Sequence, residues 1–242
     1  MEKISIITIC YNSKRFIEST IKSVIYQDYP NMEFIIVDGG SNDGTVDIIK
    51  QYESNITQWV SESDRGIYDA MNKGILMATG DWIIFMNSSD CFHSTDVLTK
   101  IFIQKQHNEG IKVIYGNVIN NYGEKCKIMR PLTINTISYR MPFCHQAAFV
   151  RRDILLQIPF DLSYKYSADF NQFYNIYYTL GAKVFKHIPL TVALCDATDC
   201  FSRKNMFPMW LEYMKIRAAH KDARWYWDSF KNWIKTTFCG YE

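Results

Sequence analysis

The chain has 242 residues, enough for one large α/β domain or one domain with an appendage. Its hydrophobic fraction of 48% and charged fraction of 21% exclude a disordered chain. A formal net charge of +2 is too small to argue for nucleic acid as the main partner.

Ile4 to Cys10 is β-rich and nearly continuous in apolar residues, the pattern of a buried parallel strand. Asn12 or Ser13 can cap a following helix whose apolar stripe is Phe16, Ile17, Ile21, Val24 and Ile25. Pro30 and Asn31 mark a turn, and Met32 to Val37 reads as a second strand. The run Asp38-Gly39-Gly40-Ser41-Asn42-Asp43-Gly44 is a loop by composition, and Thr45 opens a helix with Val46, Ile49 and Tyr52 on one face. A short strand near Thr57 to Ser61 comes next, then a loop and a helix from about Gly66 to Ala78. Trp82 to Met86 is an apolar strand that ends at Asn87-Ser88-Ser89-Asp90. Ser94 to Gln106 reads as a helix and Val113 to Ile119 as a strand. Further on, strand-like segments lie near Phe143 to Val150 and Ala182 to Leu194, with a helix near Phe170 to Leu180. The tail reads as two helices broken near Asp222 to Arg224. Strands alternating with helices over short loops imply a parallel, doubly wound sheet. The polar clusters fall after strands, at the carboxyl ends where open α/β sheets bind ligands.

The charge is unevenly spread. From Arg203 to Glu242, eight Lys/Arg face four Asp/Glu, and four of the six tryptophans are there. Such asymmetry can mark a surface for an anionic partner or a membrane. The seven cysteines form no CxxC pair, so their spacing suggests neither a zinc site nor a redox motif. Met1-Glu2-Lys3 leads straight into the first strand without a signal-peptide layout, and no apolar run approaches the ~20 residues of a membrane helix. The expected location is cytoplasmic, with reduced thiols.

Four constellations carry the chemistry. The first joins Thr8-Ile9-Cys10-Tyr11-Asn12 to the Asp38–Thr45 loop. An acid at a strand end can accept hydrogen bonds from a base or ribose, and glycines allow close backbone approach. Two ordinary loops with capping residues would look the same. Neither GxGxxG nor a Walker lysine is present, so dinucleotide dehydrogenases and P-loop kinases lack their fingerprints here. The second runs from Ser61 to Gly74, where Arg65 at a helix N-terminus could hold a phosphate. A self-paired charged turn is the plainer reading. The third is Phe85-Met86-Asn87-Ser88-Ser89-Asp90. Divalent Mg²⁺ is often held by one or two carboxylates with substrate phosphates, but Asp90 also fits a strand-ending cap. The fourth is Ser167-Ala168-Asp169-Phe170, opening a helix, where Asp169 is either a base or a first-turn acid.

In this order, these segments resemble the family 2 glycosyltransferases of the A-type fold. The resemblance covers Ile4 to Asp90 most closely and is weaker to about Gly181. It is similar to bacterial enzymes of capsule, exopolysaccharide or O-antigen synthesis, particularly a colanic-acid type. It implies an α/β fold with a mostly parallel central sheet, helices on both faces and a helical C-terminal tail. The catalytic domain would span 1–202, with a nucleotide-binding half to about 119 and an acceptor half beyond. Residues 203–242 would form the aromatic, basic tail. Thr8, Tyr11, Asn12 and Asp38 would grip the nucleoside, and Asp64 would lie against base or ribose. Asn72 would contact the sugar-phosphate side. The family's Asp-x-Asp reads Asn87-Ser88-Ser89 here, with Asn87 and Ser89 at the nucleotide-sugar, and is followed by Asp90, which would hold Mg²⁺ or Mn²⁺. Asp169 would be the catalytic base. His145, Arg203 and Lys204 would face the acceptor or diphosphate. The implied reaction is inverting transfer from a nucleotide-sugar, with UDP-sugar favoured, to a glycan or lipid-linked glycan. Peripheral membrane contact through 203–242 and a homo-oligomer fit the same picture. The alternative is a degenerate sugar-nucleotide-binding or scaffold subunit.

Overall fold

The computed structural model describes residues 1–103, 110–198 and 205–220. At its centre is β1 (Ile4–Cys10), every residue of which is buried. Strand β2 (Met32–Asp38) and strand β4 (Trp82–Phe85) flank it, both parallel, and β3 (Gln58–Ser61) extends β2 in the same sense. Both faces of β1 are covered, which is why its sequence is apolar without alternation. Ile7 and Ile9 join Ile35, Val37, Met71 and Ile75 on one side. Ile4 and Ile6 join Phe34, Ile36, Ile21 and Val24 on the other. Helices α1 (Ile17–Ile25), α2 (Thr45–Gln51) and α4 (Val97–Phe102) pack on that second side, and α3 (Ile67–Met77) on the first.

Beyond β4 the sheet is mixed. Strand β8 (Ala148–Arg151) runs antiparallel between β4 and β6 (Val113–Asn121). Strand β9 (Phe185–Asp196) is parallel to β6, and β5 (Asp90–Phe92) is antiparallel to β9. Strand β7 (Cys126–Met129) pairs with β6 off the main path. The order is β3-β2-β1-β4-β8-β6-β9-β5. So the expected parallel alternation describes the first four strands, and the rest uses both senses. Helices α5 (Arg152–Gln157) and α6 (Ala168–Leu180) lie with α3 on the first face. Helix α7 (Met206–Ala219) joins them: Tyr213 stacks on Phe170 at 4.0 Å, and Ile216 is buried.

Several local expectations are corrected. Neither Asn12 nor Ser13 caps α1 through its side chain. Asn12 has φ 47°, and the Ser13 carbonyl accepts from the Phe16 and Ile17 N–H groups at 2.9 Å each. Asp90 opens β5 rather than ending β4. Phe143 to Val150 is strand only from Ala148, behind a 3₁₀ turn at His145–Ala147. The end of the Ser94–Gln106 helix and the second tail helix lie outside the described residues, as do Arg203 and Lys204.

The amino edge of the sheet is held by Glu33, which is 3% exposed. It takes Lys3 Nζ at 2.7 Å, the Thr79 N–H and hydroxyl at 2.6 Å each, and the Ser5 hydroxyl. Burial alone would raise its pKa. The Lys3, Ser5 and Thr79 donors outweigh burial and bring it from an ordinary 4.5 to about 2. A carboxylate with a depressed folded pKa adds stability above its unfolded pKa and loses it as pH falls through the folded one. Glu33→Gln should therefore cost about 3 kcal/mol at pH 7. The wild-type advantage should vanish between pH 4.5 and about 2 in thermal melts. Gly74 packs α3 on β1 so closely that an added Cβ would lie 2.5 Å from Ile7 Cγ2. Gly74→Val should lower the melting temperature with a cost of about 2 kcal/mol.

Candidate active site

The loops after β1, β2 and β3 are tied together at the carboxyl edge by Asp38. Its carboxylate is fully buried at the end of β2. One oxygen accepts from the Gly40 N–H at 3.1 Å, the Ser41 N–H at 2.9 Å and the Ser61 hydroxyl at 2.6 Å. The other accepts from the Ser41 hydroxyl and, at 3.4 Å, from the Cys10 thiol. Burial raises its pKa, but the Ser41 and Ser61 donors prevail and hold it below the usual carboxylate range. The same burial pushes the Cys10 thiol up. Asp38 thus shapes the loop from within. It does not present a free carboxylate to a ligand.

The loop it shapes is laced to the end of β1. The Asn12 N–H donates to the Ser41 hydroxyl at 2.8 Å, and Asn12 Oδ1 accepts from the Asn42 N–H at 3.1 Å. Gly40 and Gly44 take φ 82° and 97°, conformations that glycine adopts at little cost. Gly39 is needed for another reason. A Cβ there would lie 2.6 Å from Asp64 Oδ2 and 3.3 Å from the Tyr11 ring. Tyr11 is 63% exposed, and Asp64 Oδ1 accepts from the Gly66 N–H at 2.8 Å. Tyr11, Gly39 and Asp64 therefore meet at an open edge.

Two expected contacts turn inward. Thr8 is buried and donates to the Met86 carbonyl at 2.7 Å, tying β1 to the end of β4. Asn72 pairs with Phe160 through both its amide atoms, at 2.9 and 3.0 Å. In both, the polar side-chain atoms meet backbone groups of other elements. Charges in the 61–74 stretch pair among themselves, Arg65 with Asp69 at 3.1 Å and Lys73 with Glu62 at 2.9 Å.

The 87–90 loop is built on hydroxyls. Ser88 meets the Ser13 hydroxyl at 2.9 Å. The Ser89 N–H donates to Thr20 Oγ1 at 3.2 Å with Ser89 at φ 87°, and Thr20 donates to the Asp90 carbonyl at 2.8 Å. Asn87 is buried with its Oδ1 lacking a hydrogen-bond partner. Asp90 is 5% exposed. Burial pushes its pKa up to about 6, against the nearby His145 charge and the Cys195 and Gln146 donors. Residues 87–89 add no carboxylate. Among the described residues, no group of three or more His, Cys, Asp or Glu is placed to hold a metal. Asp90 alone among residues 87–90 could hold a Mg²⁺ or Mn²⁺, with donor phosphates and water completing its shell.

Asp169 sits at the start of α6, with its side chain 19% exposed. Its Oδ2 lies 3.2 Å from His145 Nδ1, and its Oδ1 accepts from the Tyr68 hydroxyl at 3.0 Å. Burial opposes its ionisation, yet His145, the Phe170 N–H and Tyr68 together hold it below the usual range. Burial lowers the His145 pKa, but Asp169, Cys144 and Asp90 raise it to about 9, so His145 is a cation at neutral pH. The Tyr68 and Tyr213 phenols are pushed up, chiefly by burial, and stay neutral. Tyr68 lies four residues after Asp64, so one segment serves both the open edge and the acid. The sequence pattern assigned Tyr68 and Cys195 no role. Tyr68 had a signal, a hydroxyl within the buried face of α3; the partnership of Asp90 with Cys195 arises only from strand register.

The glycosyl transferase family 2 model matches residues 5–168. The uncharacterised glycosyltransferase Rv1514c of Mycobacterium tuberculosis is 30% identical over 225 residues, 90% of this chain and 84% of that protein. The PGL/p-HBAD biosynthesis glycosyltransferase Rv2957 of the same species is 30% identical over 171 residues, 69% of this chain. That match spans 66% of the relative's own length. The putative teichuronic acid biosynthesis glycosyltransferase TuaG of Bacillus subtilis is 41% identical over 90 residues, 36% of each chain. Among solved structures, Staphylococcus aureus TarS 1-349 in complex with UDP superposes with TM-score 0.69 at 20% identity, over 90% of this chain and 64% of that one. Mycobacterium tuberculosis glucosyl-3-phosphoglycerate synthase, crystallised with Mn²⁺ and UDP, gives 0.65 at 18% identity, over 89% of this chain and 80% of that one. The fold is the glycosyltransferase A-type. No helix among the described residues is long and apolar enough to cross a membrane. By sequence pattern, by the family match over most of its length and by fold, this chain belongs to glycosyl transferase family 2.

Proposed function

We propose that this chain is an inverting glycosyltransferase that moves a hexosyl or N-acetylhexosaminyl group from a UDP-sugar to an acceptor hydroxyl. The acceptor is a glycan or lipid-linked glycan of a bacterial surface polysaccharide. The observation that carries the reading is Asp169, an ionised carboxylate held by His145 and Tyr68 beside the segment that bears Asp64. A sugar hydroxyl is a poor nucleophile and needs a base as its bond to the anomeric carbon forms. TarS and glucosyl-3-phosphoglycerate synthase, both crystallised with UDP, support the donor class, and TuaG supports the polysaccharide setting.

In this reading the nucleoside lies against Tyr11, Gly39 and Asp64, on a loop whose shape Asp38 maintains. Asp169 takes the acceptor proton. The acceptor oxygen attacks the anomeric carbon from the face opposite the nucleotide. The bond to the diphosphate breaks as the new one forms, and UDP leaves with the electron pair, so the configuration inverts. Exposed Phe207, Trp210 and Leu211 on α7 support contact with the membrane that carries a lipid-linked acceptor.

Calorimetry with UDP and GDP should show preferential UDP binding that Mn²⁺ strengthens less in Asp90→Ala than in wild type, because Asp90 is the one carboxylate in the 87–90 loop. Gly39→Val should weaken UDP by about tenfold or more, a loss of about 1.4 kcal/mol, by displacing Asp64. Asp169→Asn should lower kcat about 10²- to 10⁴-fold and leave UDP affinity intact. A product with retained anomeric configuration by NMR would end the single-displacement reading. UDP binding without turnover on any acceptor would favour the scaffold alternative.

A further inference from the structure

A base in this position has to meet two demands that conflict. It must be ionised when the acceptor arrives, and it must keep one lone pair open toward the acceptor. A carboxylate offers about four lone-pair positions. Asp169 gives one oxygen to the Tyr68 hydroxyl and the other to His145 Nδ1, and the Phe170 N–H adds a third donor. These donors come from α3, from the turn before β8 and from α6 itself. They fix the carboxylate plane from three directions and leave one position uncommitted. Of the three, only His145 brings charge.

His145 is itself held from several sides. It opens the 3₁₀ turn His145–Ala147, whose Gln146 is a hydrogen-bond donor to Asp90. Its Nε2 is buried without a hydrogen-bond partner, and its charge is felt by both Asp169 and Asp90. The imidazole, 23% exposed, thus lies between two acids, with one nitrogen committed to Asp169. The groups facing Asp169 are Tyr68 from α3, His145, and Tyr213 from α7; those facing His145 are Asp169, Cys144 and Asp90. Nothing else in this set is a cation.

We propose that His145 is a positioning residue for the transfer reaction: through Nδ1 it orients the Asp169 carboxylate and keeps it ionised, without itself touching donor or acceptor. The proposal rests on the reading of Asp169 as the base. It replaces the expectation that His145 faces the acceptor or diphosphate directly. It also accounts for a largely covered imidazole that packing alone would disfavour as a cation. Because Nδ1 is committed to Asp169, donor binding does not depend on the His145 charge, whereas the protonation state of Asp169 does.

The test uses the full chain with UDP-glucose and UDP-N-acetylglucosamine, water as the acceptor, and UDP release as the readout. His145→Gln keeps a donor in place of the ring but removes the charge. It should lower kcat about tenfold or more while KM and the calorimetric Kd for UDP change less than about twofold. Its acid limb in the kcat–pH profile should move up by about one pH unit, since loss of an opposite charge raises a carboxylate pKa. Tyr68→Phe, which removes the donor on the other oxygen, should move the same limb in the same direction and serves if His145→Gln melts early. In the Asp169→Asn background, His145→Gln should add little further loss. An unmoved acid limb in both variants overturns the positioning role and leaves the transferase reading standing. So does a weakened UDP Kd with an unchanged limb, which would assign His145 to the diphosphate. Wild-type protein that neither binds UDP nor releases it from either donor overturns the transferase reading, and this role with it.

Discussion

The carboxyl edge of the sheet depends on a fully buried carboxylate. Asp38 sits at the end of β2, fully buried, and gathers donors from the β1 end, from its own loop and from β3. An ionised group in that position is costly unless every lone pair is used. The cost enforces the geometry: the Gly39–Ser41 backbone has to turn inward and Ser61 has to face it. That turn brings Gly39 against Tyr11 and Asp64, and their approach leaves no room for a side chain. The open edge is thus a consequence of satisfying a closed one.

The same economy recurs at three other acids, with different outcomes. Glu33 holds the opposite edge of the sheet with a lysine, two hydroxyls and backbone donors, and its pKa falls to about 2. Asp169 has an internal cation and two further donors, and it too stays ionised. Asp90 is as well covered but poorly compensated, and burial carries it to about 6. The difference lies in the partners, since burial acts in the same direction on all of them. It also separates their roles. Asp38 and Glu33 stiffen the sheet ends, Asp169 is the acid that the proposed reading makes the base, and Asp90 is tied to Cys195 and Gln146.

Most of the first half was legible in the residue pattern. The Ile4–Cys10 run matched β1 residue for residue, and Thr45 opened α2 as its position implied. Continuous apolar runs and turn residues are local signals, and here no tertiary contact overrode them. The second half was harder because β8 and β9 have partners far away in the chain and of both senses. β7, fully exposed, and the six-residue α5 were not anticipated. Neither has enough apolar period to be seen.

What the sequence alone determined is the family, the α/β class and the acids available: Asp38, Asp64, Asp90 and Asp169, each beside a strand end or a helix start. Residue type and local spacing carry that information. What only the tertiary structure decided is which of those acids face inward and which partner each one meets. Thr8 and Asn72, expected as ligand contacts, hydrogen-bond backbone at Met86 and Phe160. His145 and Tyr68 are 77 residues apart along the chain, and each is far from Asp169 except in space. A carboxylate's chemistry is set by the groups within hydrogen-bond reach, and those are chosen by strand order and packing rather than by sequence neighbourhood.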